Sequence, residues 1–584
     1  MVASTHWLAT AAGMAVLEKG GNAFDAAVAA GFVLQVVEPH LNGPAGEVPV
    51  IGWDAAAAGT FVLDGQGPAP AAATLEAYRA LGLDLVPGTG LLAACVPAAF
   101  GTWMLLLARY GTMRPGEVLQ YAIGYARDGY PMLPTASASI EAVAPVFREH
   151  WPSSAEVYLA NGVPAAGARF ANPALAAVYE RIVAEAQAAG SDREAQIEAA
   201  RRAFYEGFVA EAIAGYLDGA QVMDITGERH RGVLSGDDLA GWRAGVEAPV
   251  TAEFRGYTVC KTGPWGQGPV FLQQLALLDG FDLNGMGAGS PELIHVITEA
   301  SKLAFADREA FYGDPRHSDI PLDELLSAQY ADRRRKLIGE ESSGELLPGD
   351  PFGVPGALPE YALGTFGGRA ATGAGAGEPT AAFGVAAPTL GPGDTCHLDV
   401  ADRFGNMVSA TPSGGWLQSS PVVPGLGFCL GSRAQMFSLT PGFASSLAPG
   451  RRPRTTLSPS LALRDGEPYL AFGTPGGDQQ DQWTLAVFLN HAVFGMNLQE
   501  AIDFPAFHTD HFPSSFYPRE SLPRSLAVES RVSEQAIADL RRRGHQVDVR
   551  PPWSLGRVSA IARSGGFLYA GANPRGMQGY AAGR

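Results

Sequence analysis

The chain predicts a mixed α+β fold, and three observations carry that reading. Its first part is rich in Ala-heavy segments with helical periodicity, and its last part alternates as strands do. Between them, from about residue 339 to 393, runs a Gly/Pro/Ala/Glu-rich stretch with neither period. Local patterns alone take the argument no further than a layered domain of both element types.

Each element has its own reason. Helices are predicted over 10–19 and 23–36, the second starting just after Gly20-Gly21-Asn22. A loop, Leu41-Asn42-Gly43-Pro44-Ala45-Gly46-Glu47, feeds a strand over 48–53; a second strand over 61–64 ends in Gly65-Gln66-Gly67-Pro68-Ala69-Pro70. Helical patterning returns over 99–110, 115–128 and 174–214. Residues 250–259 alternate as a strand does, 263–269 form a Gly/Pro loop, and 270–278 is helical. A long helix is predicted over 291–312, with Leu293, Ile297, Ala300, Ala304 and Phe311 at roughly helical spacing. Beyond 395, strands over 458–463 and 469–473 flank the turn Arg464-Asp465-Gly466-Glu467. A buried helix spans 483–494, an amphipathic one 532–543, and a hairpin over 558–562 and 567–571 closes the chain. No repeat of solenoid period is present.

Composition narrows the function class. The 584 residues supply ample chain for a large core, with 47% apolar and 17% charged residues. A net charge of −18 argues against nucleic acid or an anionic membrane as partner. Cys95, Cys260, Cys396 and Cys429 show neither CxxC nor metal-ligand spacing, so reduced, packed thiols are expected and no metal or organic cofactor. No apolar run reaches transmembrane length, and a basic region followed by an apolar one is missing at the start. The expectation is a cytoplasmic protein, or an exported one seen in mature or truncated form.

The chemistry concentrates at one junction. The unpatterned stretch runs abruptly into Asp394-Thr395-Cys396-His397, followed by a hairpin in which Leu398, Val400, Met407 and Val408 flank Asp402-Arg403-Phe404-Gly405-Asn406. Cleavage of the Asp394–Thr395 bond would place a hydroxyl and a free α-amine on one residue, an activated-nucleophile pair. Asp-Thr before a strand is common, and the spacing alone does not establish cleavage.

Distinctive motifs make the junction specific. Gly20-Gly21-Asn22-Ala23-Phe24-Asp25-Ala26-Ala27, Val37-Glu38-Pro39-His40, Phe204-Tyr205-Glu206-Gly207, Ala304-Phe305-Ala306-Asp307-Arg308, Gly313-Asp314-Pro315 and Thr474-Pro475-Gly476-Gly477 occur in an order that resembles the γ-glutamyltransferase family of N-terminal-nucleophile hydrolases. The resemblance covers nearly the whole chain. It implies a four-layer αββα sandwich, shared by a large segment 1–394 (with 339–394 as flexible linker) and a small segment 395–584 that begins with the nucleophile. The two processed chains are expected to stay together as a heterodimer; assembly beyond that is left open.

The resemblance also assigns roles. Thr395 becomes the nucleophile, first on the carbonyl of Asp394 and then on a substrate amide, with its own amine as base. Ser413 aligns with a family threonine bonded to the nucleophile's hydroxyl; the alternative is a solvated serine in the Pro412-Ser413-Gly414-Gly415 turn. Thr411 lies two residues earlier, on the same face if the strand persists. Gly476 and Gly477 match the oxyanion hole. Thr455 and Thr456 stand for a Ser-Ser pair that contacts the substrate carboxylate. His397 is expected to be a structural hydrogen-bonding residue, and Cys396 a packed thiol.

Departures from the family pattern bear on substrate. Gln66 stands where an arginine would grip an α-carboxylate, Gln435 and Met436 where two acids would hold an α-ammonium, and Gly415 where an asparagine belongs. Pro44 and Glu47 interrupt a loop that is a glycine run in relatives. Desolvating a zwitterionic glutamyl head without paired charges costs several kcal/mol. The expected activity is therefore an amidohydrolase or acylase on a small-molecule amide without that head, with Arg433 and Gln66 receiving a carboxylate or polar acyl group. Arg433 reads equally well as a solvated surface charge. Trp265, Trp416, Phe428 and Met436 hint at an apolar pocket or belong to the core. The competing readings are a true γ-glutamyltransferase with a rearranged clamp, in which Arg433 substitutes for the missing arginine, and an unprocessed, inactive homologue.

Overall fold

The computed structural model describes residues 1–364, 395–575 and 578–584. Two antiparallel sheets lie face to face between helical layers, the αββα sandwich that the family resemblance implies. The first sheet runs in the order Tyr580–Ala582, Val2–Ser4, Leu398–Ala401, Met407–Ala410, Val50–Asp54, Gly59–Leu63, Val246–Glu247. The second runs Phe567–Ala572, Ser559–Ser564, Glu467–Gly473, Ser460–Arg464, Tyr257–Lys261, Val250–Phe254. Strands from before residue 364 and after residue 395 thus interleave in the first sheet, and in the second they meet where Tyr257–Lys261 pairs with Ser460–Arg464. Alternation sends Ile51, Trp53, Met407, Leu461, Ala471 and Ile561 into the shared interior, where they form one apolar layer.

Small side chains let the outer helices approach closely. Ala23–Val37 is buried along its whole length. The Asn22 side chain accepts from the backbone N–H groups of Phe24 and Asp25, and Asp25 accepts from that of Asn22, so the helix starts with a reciprocal cap. On the far side, Gly268–Leu278, Pro291–Phe311 and Gln480–Ala492 pack Phe271, Leu275, Ile297, Leu485 and Phe488 under the second sheet. Among the described residues no helix is long and apolar enough to cross a membrane.

Several sequence expectations are revised. The helical stretch 174–214 is three helices, Pro173–Ala188, Arg193–Tyr205 and Phe208–Gly219, broken at Gly190 and Gly207. Helix Pro134–Glu149 and the short strands Val2–Ser4 and Tyr580–Ala582 have no local signal; Val2–Ser4 is a strand because Leu398–Ala401 lies beside it, and Tyr580–Ala582 because Val2–Ser4 does. The segment from residue 339 is not loose at its start. The Gly339 carbonyl accepts from His295, Ser342 from Lys302, the Gly349 N–H donates to Asp307, and the Tyr361 hydroxyl donates to Glu309. These contacts tie residues 339–361 along helix Pro291–Phe311. The rest of the expected linker, with Asp394 and the cleavage junction, lies outside the described residues.

Candidate active site

Thr395 enters the first sheet at its interior end. It forms a bridge with Ser413, and the Cys396 N–H donates to the Pro412 carbonyl (2.9 Å). Thr395 is 1% exposed, and its Oγ1 lies 3.2 Å from Ser413 Oγ. The solvated-turn reading of Ser413 therefore fails. Ser413 is fully buried, and it exchanges both backbone hydrogen bonds with Glu47, at 2.9 and 3.0 Å. Gly43 and Gly46 make this close fit possible: a Cβ on Gly46 would stand 2.0 Å from the Ser413 carbonyl oxygen, and one on Gly43 2.9 Å from that of Gly415.

Arg433 is the main correction on the charged residues. It is 1% exposed, not a solvated surface charge. Its Nε donates to the Glu47 carboxylate and its Nη2 to Ser413 Oγ (3.1 Å), while Nη1 lies 3.7 Å from Met436 Sδ. Its guanidinium carbon sits 5.0 Å from the Trp416 ring centre and 6.0 Å from that of Phe516. Trp416, Met436 and Phe516 form a small apolar cluster of their own. Of the four residues expected around an apolar pocket, Trp416 and Met436 are thus together. Trp265 belongs to the inter-sheet layer, and Phe428 stacks on Phe204 in the outer core.

Neighbouring side chains point elsewhere. Thr411 is turned toward His397 and not toward the Thr395 hydroxyl; its Oγ1 lies 2.9 Å from His397 Nδ1. His397 Nε2 in turn lies 3.0 Å from Asp399, which accepts from the Ser559 hydroxyl (2.9 Å). This buried chain, Thr411–His397–Asp399–Ser559, gives His397 the structural role expected of it. Cys396 faces away from Thr395, as alternation requires, and donates to Glu38 (3.1 Å), which also accepts from Thr5 and Gln578. Burial, then the Glu38 charge, pushes the Cys396 thiol well up, which removes it as a thiolate nucleophile. Burial likewise raises Glu38.

The Pro475-Gly476-Gly477 turn leaves the second sheet beside this group. A Cβ on Gly473 would stand 2.2 Å from the His397 ring, so strand Glu467–Gly473 ends against the residue two beyond Thr395. Gly476 has φ +107°, open to glycine alone, and a Cβ there would meet Trp483 at 2.4 Å. A Cβ on Gly477 would meet Phe516 at 2.7 Å. The Gly477 carbonyl accepts from Gln267 (3.3 Å), whose Oε1 accepts from Arg308 (2.9 Å). Arg308 also pairs with Asp478, which accepts from the Ser515 N–H and hydroxyl at 2.7 and 2.6 Å. Burial opposes ionisation of Asp478, yet the Arg308 charge and the Ser515 donors hold its pKa below the usual carboxylate range. The turn is therefore held at its Gly477–Asp478 end by Gln267 and the buried Arg308–Asp478 pair.

The expected substrate contacts divide. Gln66 is 1% exposed; its Nε2 donates to the Gly67 carbonyl, and its Oε1 is buried with no hydrogen-bond partner among the described residues. Thr456 Oγ1 is in the same state. Thr455 bridges to Gly266, next to the Gln267 that holds Gly477. Buried polar atoms of this kind are suited to receive a ligand. Gln435 and Gly415 do not fit that role. The Gln435 amide donates to Ser432 and accepts from the Tyr517 N–H (3.1 Å), so it pins the segment that carries Phe516. Gly415, at φ +70°, has no side chain to offer and packs between Gly43 and Cys429. Phe516, Gln267 and the Arg308–Asp478 pair went unread because their partners lie far along the chain. Glu47 and Arg433 are opposite charges in two loops that both depart from the family pattern, but nothing local to either loop pairs them.

Residues 9–583 match the family profile described as Gamma-glutamyltranspeptidase. The oxamate amidohydrolase proenzyme of Klebsiella pneumoniae is 32% identical, with 100% of this chain and 98% of that protein covered. The solved structure of LmbA2991HD superposes with a TM-score of 0.93 at 54% identity, covering 100% of this chain and 98% of the other. The cephalosporin acylase from Bacillus halodurans superposes at 0.81 with 28% identity, covering 100% and 95%.

Proposed function

Because the chain belongs to the γ-glutamyltranspeptidase family, whose relatives include acylases and amidohydrolases, we propose that it is a self-processing N-terminal threonine amidohydrolase. Its substrate is a small amide whose acyl part lacks a free α-amino acid head. The observation that carries the reading is the 3.2 Å approach of the Thr395 and Ser413 hydroxyls in a buried site.

In the precursor, Thr395 Oγ attacks the Asp394 carbonyl; the C–N bond breaks, an ester forms, and water cleaves it to leave a carboxylate at 394 and an amine on 395. In the mature enzyme that amine takes the Oγ proton as Oγ attacks the substrate carbonyl. The Gly476–Gly477 turn faces the developing oxyanion, the proton passes to the leaving amine, and water then hydrolyses the acyl ester.

Head-group recognition supports an acylase over a γ-glutamyltransferase. Gln435 and Met436 leave no carboxylate for an α-ammonium, and Arg433, offered as a replacement clamp, already pairs with Glu47. The acyl group is placed against Trp416, Met436 and Phe516, with Gln66 and Thr456 as its polar contacts. The test is a panel of p-nitroanilides with acetyl, oxalyl, glutaryl, phenylacetyl and γ-glutamyl acyl groups. Turnover of one of the first four, at least about tenfold above the γ-glutamyl compound in kcat/KM, is expected; a γ-glutamyl preference overturns the reading.

A further inference from the structure

We propose that Glu47 and Arg433 form a positioning couple that fixes the Ser413 proton on the nucleophile's oxygen. The proposal rests on the Thr395 reading above and adds residues that no family role covers. A guanidinium has only donors, so in the Arg433–Ser413 contact Ser413 Oγ must accept. The serine's single hydrogen then has Thr395 Oγ1 within reach as an acceptor, at 3.2 Å. Thr395's own hydrogen is left for its base. The couple thereby sorts two hydroxyls, either of which could donate to the other, into one donor and one nucleophile.

Glu47 is what makes the arrangement rigid. It holds Arg433 through Nε, and its backbone holds Ser413 through both hydrogen bonds, so one residue orients both partners. Its carboxylate lies under Gly414, where a Cβ would meet it at 2.6 Å. Trp416 and Phe516 exclude water from the guanidinium's face, which strengthens the pairing. Cys95 lies within electrostatic reach of both charges, and burial holds it as a neutral thiol.

The couple also sets the local field. Arg433 is two hydrogen bonds from Thr395 Oγ1, roughly 6 Å, where an uncompensated cation lowers the pKa of a nearby amine by about one unit. Glu47 cancels that field. Other charged or titratable groups around residue 395 include His397 with Asp399, Glu38 with Cys396 and the Arg557 charge acting on both, and Arg308 with Asp478; none of them is partnered by Glu47 or Arg433.

The experiment compares wild type with Glu47→Gln, Arg433→Met and Arg433→Lys. Conversion of purified precursor on denaturing gels is followed for each, with pH profiles of kcat/KM on the best p-nitroanilide of the panel. Glu47→Gln is expected to move the acid limb of the profile down by about one pH unit, and Arg433→Met to remove the donor and slow processing at least about tenfold. Arg433→Lys, which keeps charge and donor, is expected to recover processing and leave the limb in place. Should Glu47→Gln not fold, the contrast between Arg433→Met and Arg433→Lys decides. Equal processing by these two, or an unmoved limb in a folded Glu47→Gln enzyme, overturns the couple. If no p-nitroanilide is cleaved, the acylase reading fails while the gel still decides the couple.

Discussion

Ser413 Oγ stands 3.2 Å from Thr395 Oγ1, eighteen residues along the chain and one strand turn away in space. The contact exists because Leu398–Ala401 and Met407–Ala410 pair in register, Leu398 opposite Ala410, and the bridge continues past both strands to Thr395 and Ser413. A residue placed by a ladder in the middle of a sheet is held by the whole core.

Replacing Ser413 with alanine keeps the backbone bridge to Glu47 but leaves Arg433 Nη2 without its hydroxyl partner. We expect a loss of about 10²-fold in kcat with the fold intact, checked by steady-state kinetics beside a melting curve. Ser413→Thr, which keeps the hydroxyl, is expected to recover most of the rate.

Gly477→Ala inserts a methyl 2.7 Å from the Phe516 ring and so tilts the turn. Turnover should fall by about 10²-fold or more, with KM changing less than kcat, because the lost contact belongs to the transition state.

Asp399→Ala breaks the buried chain from Thr411 to Ser559 and strands His397. A stability loss of about 3 kcal/mol is expected in urea unfolding, in the range for breaking a buried pair. A change below about 1 kcal/mol would show that His397 needs no partner.

Acid should destabilise the fold from about pH 6.5 downward through its buried histidines. Burial lowers His6, His40 and His545 to about 3 and His511 to about 4. A histidine depressed in the folded state takes up its proton more readily when unfolded. Its contribution is therefore present above the ordinary value near 6.5 and is lost as pH falls from there toward 4. Each such group weakens the fold by about 1.4 kcal/mol per pH unit in that window. Melting temperature should drop between pH 6.5 and 4, and His545→Gln should flatten the slope.

How much of this was legible in the sequence depends on the range of the interaction. Helices 99–110 and 115–128 are local, set by apolar period and by Pro115 at a helix start, and the structure gives Ala99–Tyr110 and Pro115–Asp128. The hairpin around Asp402–Asn406 was legible for the same reason: the Asp402 carboxylate accepts from the Phe404 and Asn406 N–H groups. Val2–Ser4 was not, since three residues become a strand only when Leu398–Ala401 lies beside them. In the site, Thr395 and Ser413 share a short hairpin and were readable from motif order. The Arg433–Glu47 pair spans 386 residues, and nothing local to either loop says which charge answers which. Thr411, Gln435 and Gly415 engage His397, Tyr517 and Gly43, contacts that their positions in the sequence do not reveal.

The account turns on a free amine at residue 395, and Edman sequencing with intact-mass analysis of active enzyme tests it most directly. Two chains are expected, one beginning Thr-Cys-His-Leu-Asp, that co-elute under native conditions because both sheets are built from strands of the two chains. A fully active preparation showing one uncleaved chain, or cleavage at any other bond, would contradict it.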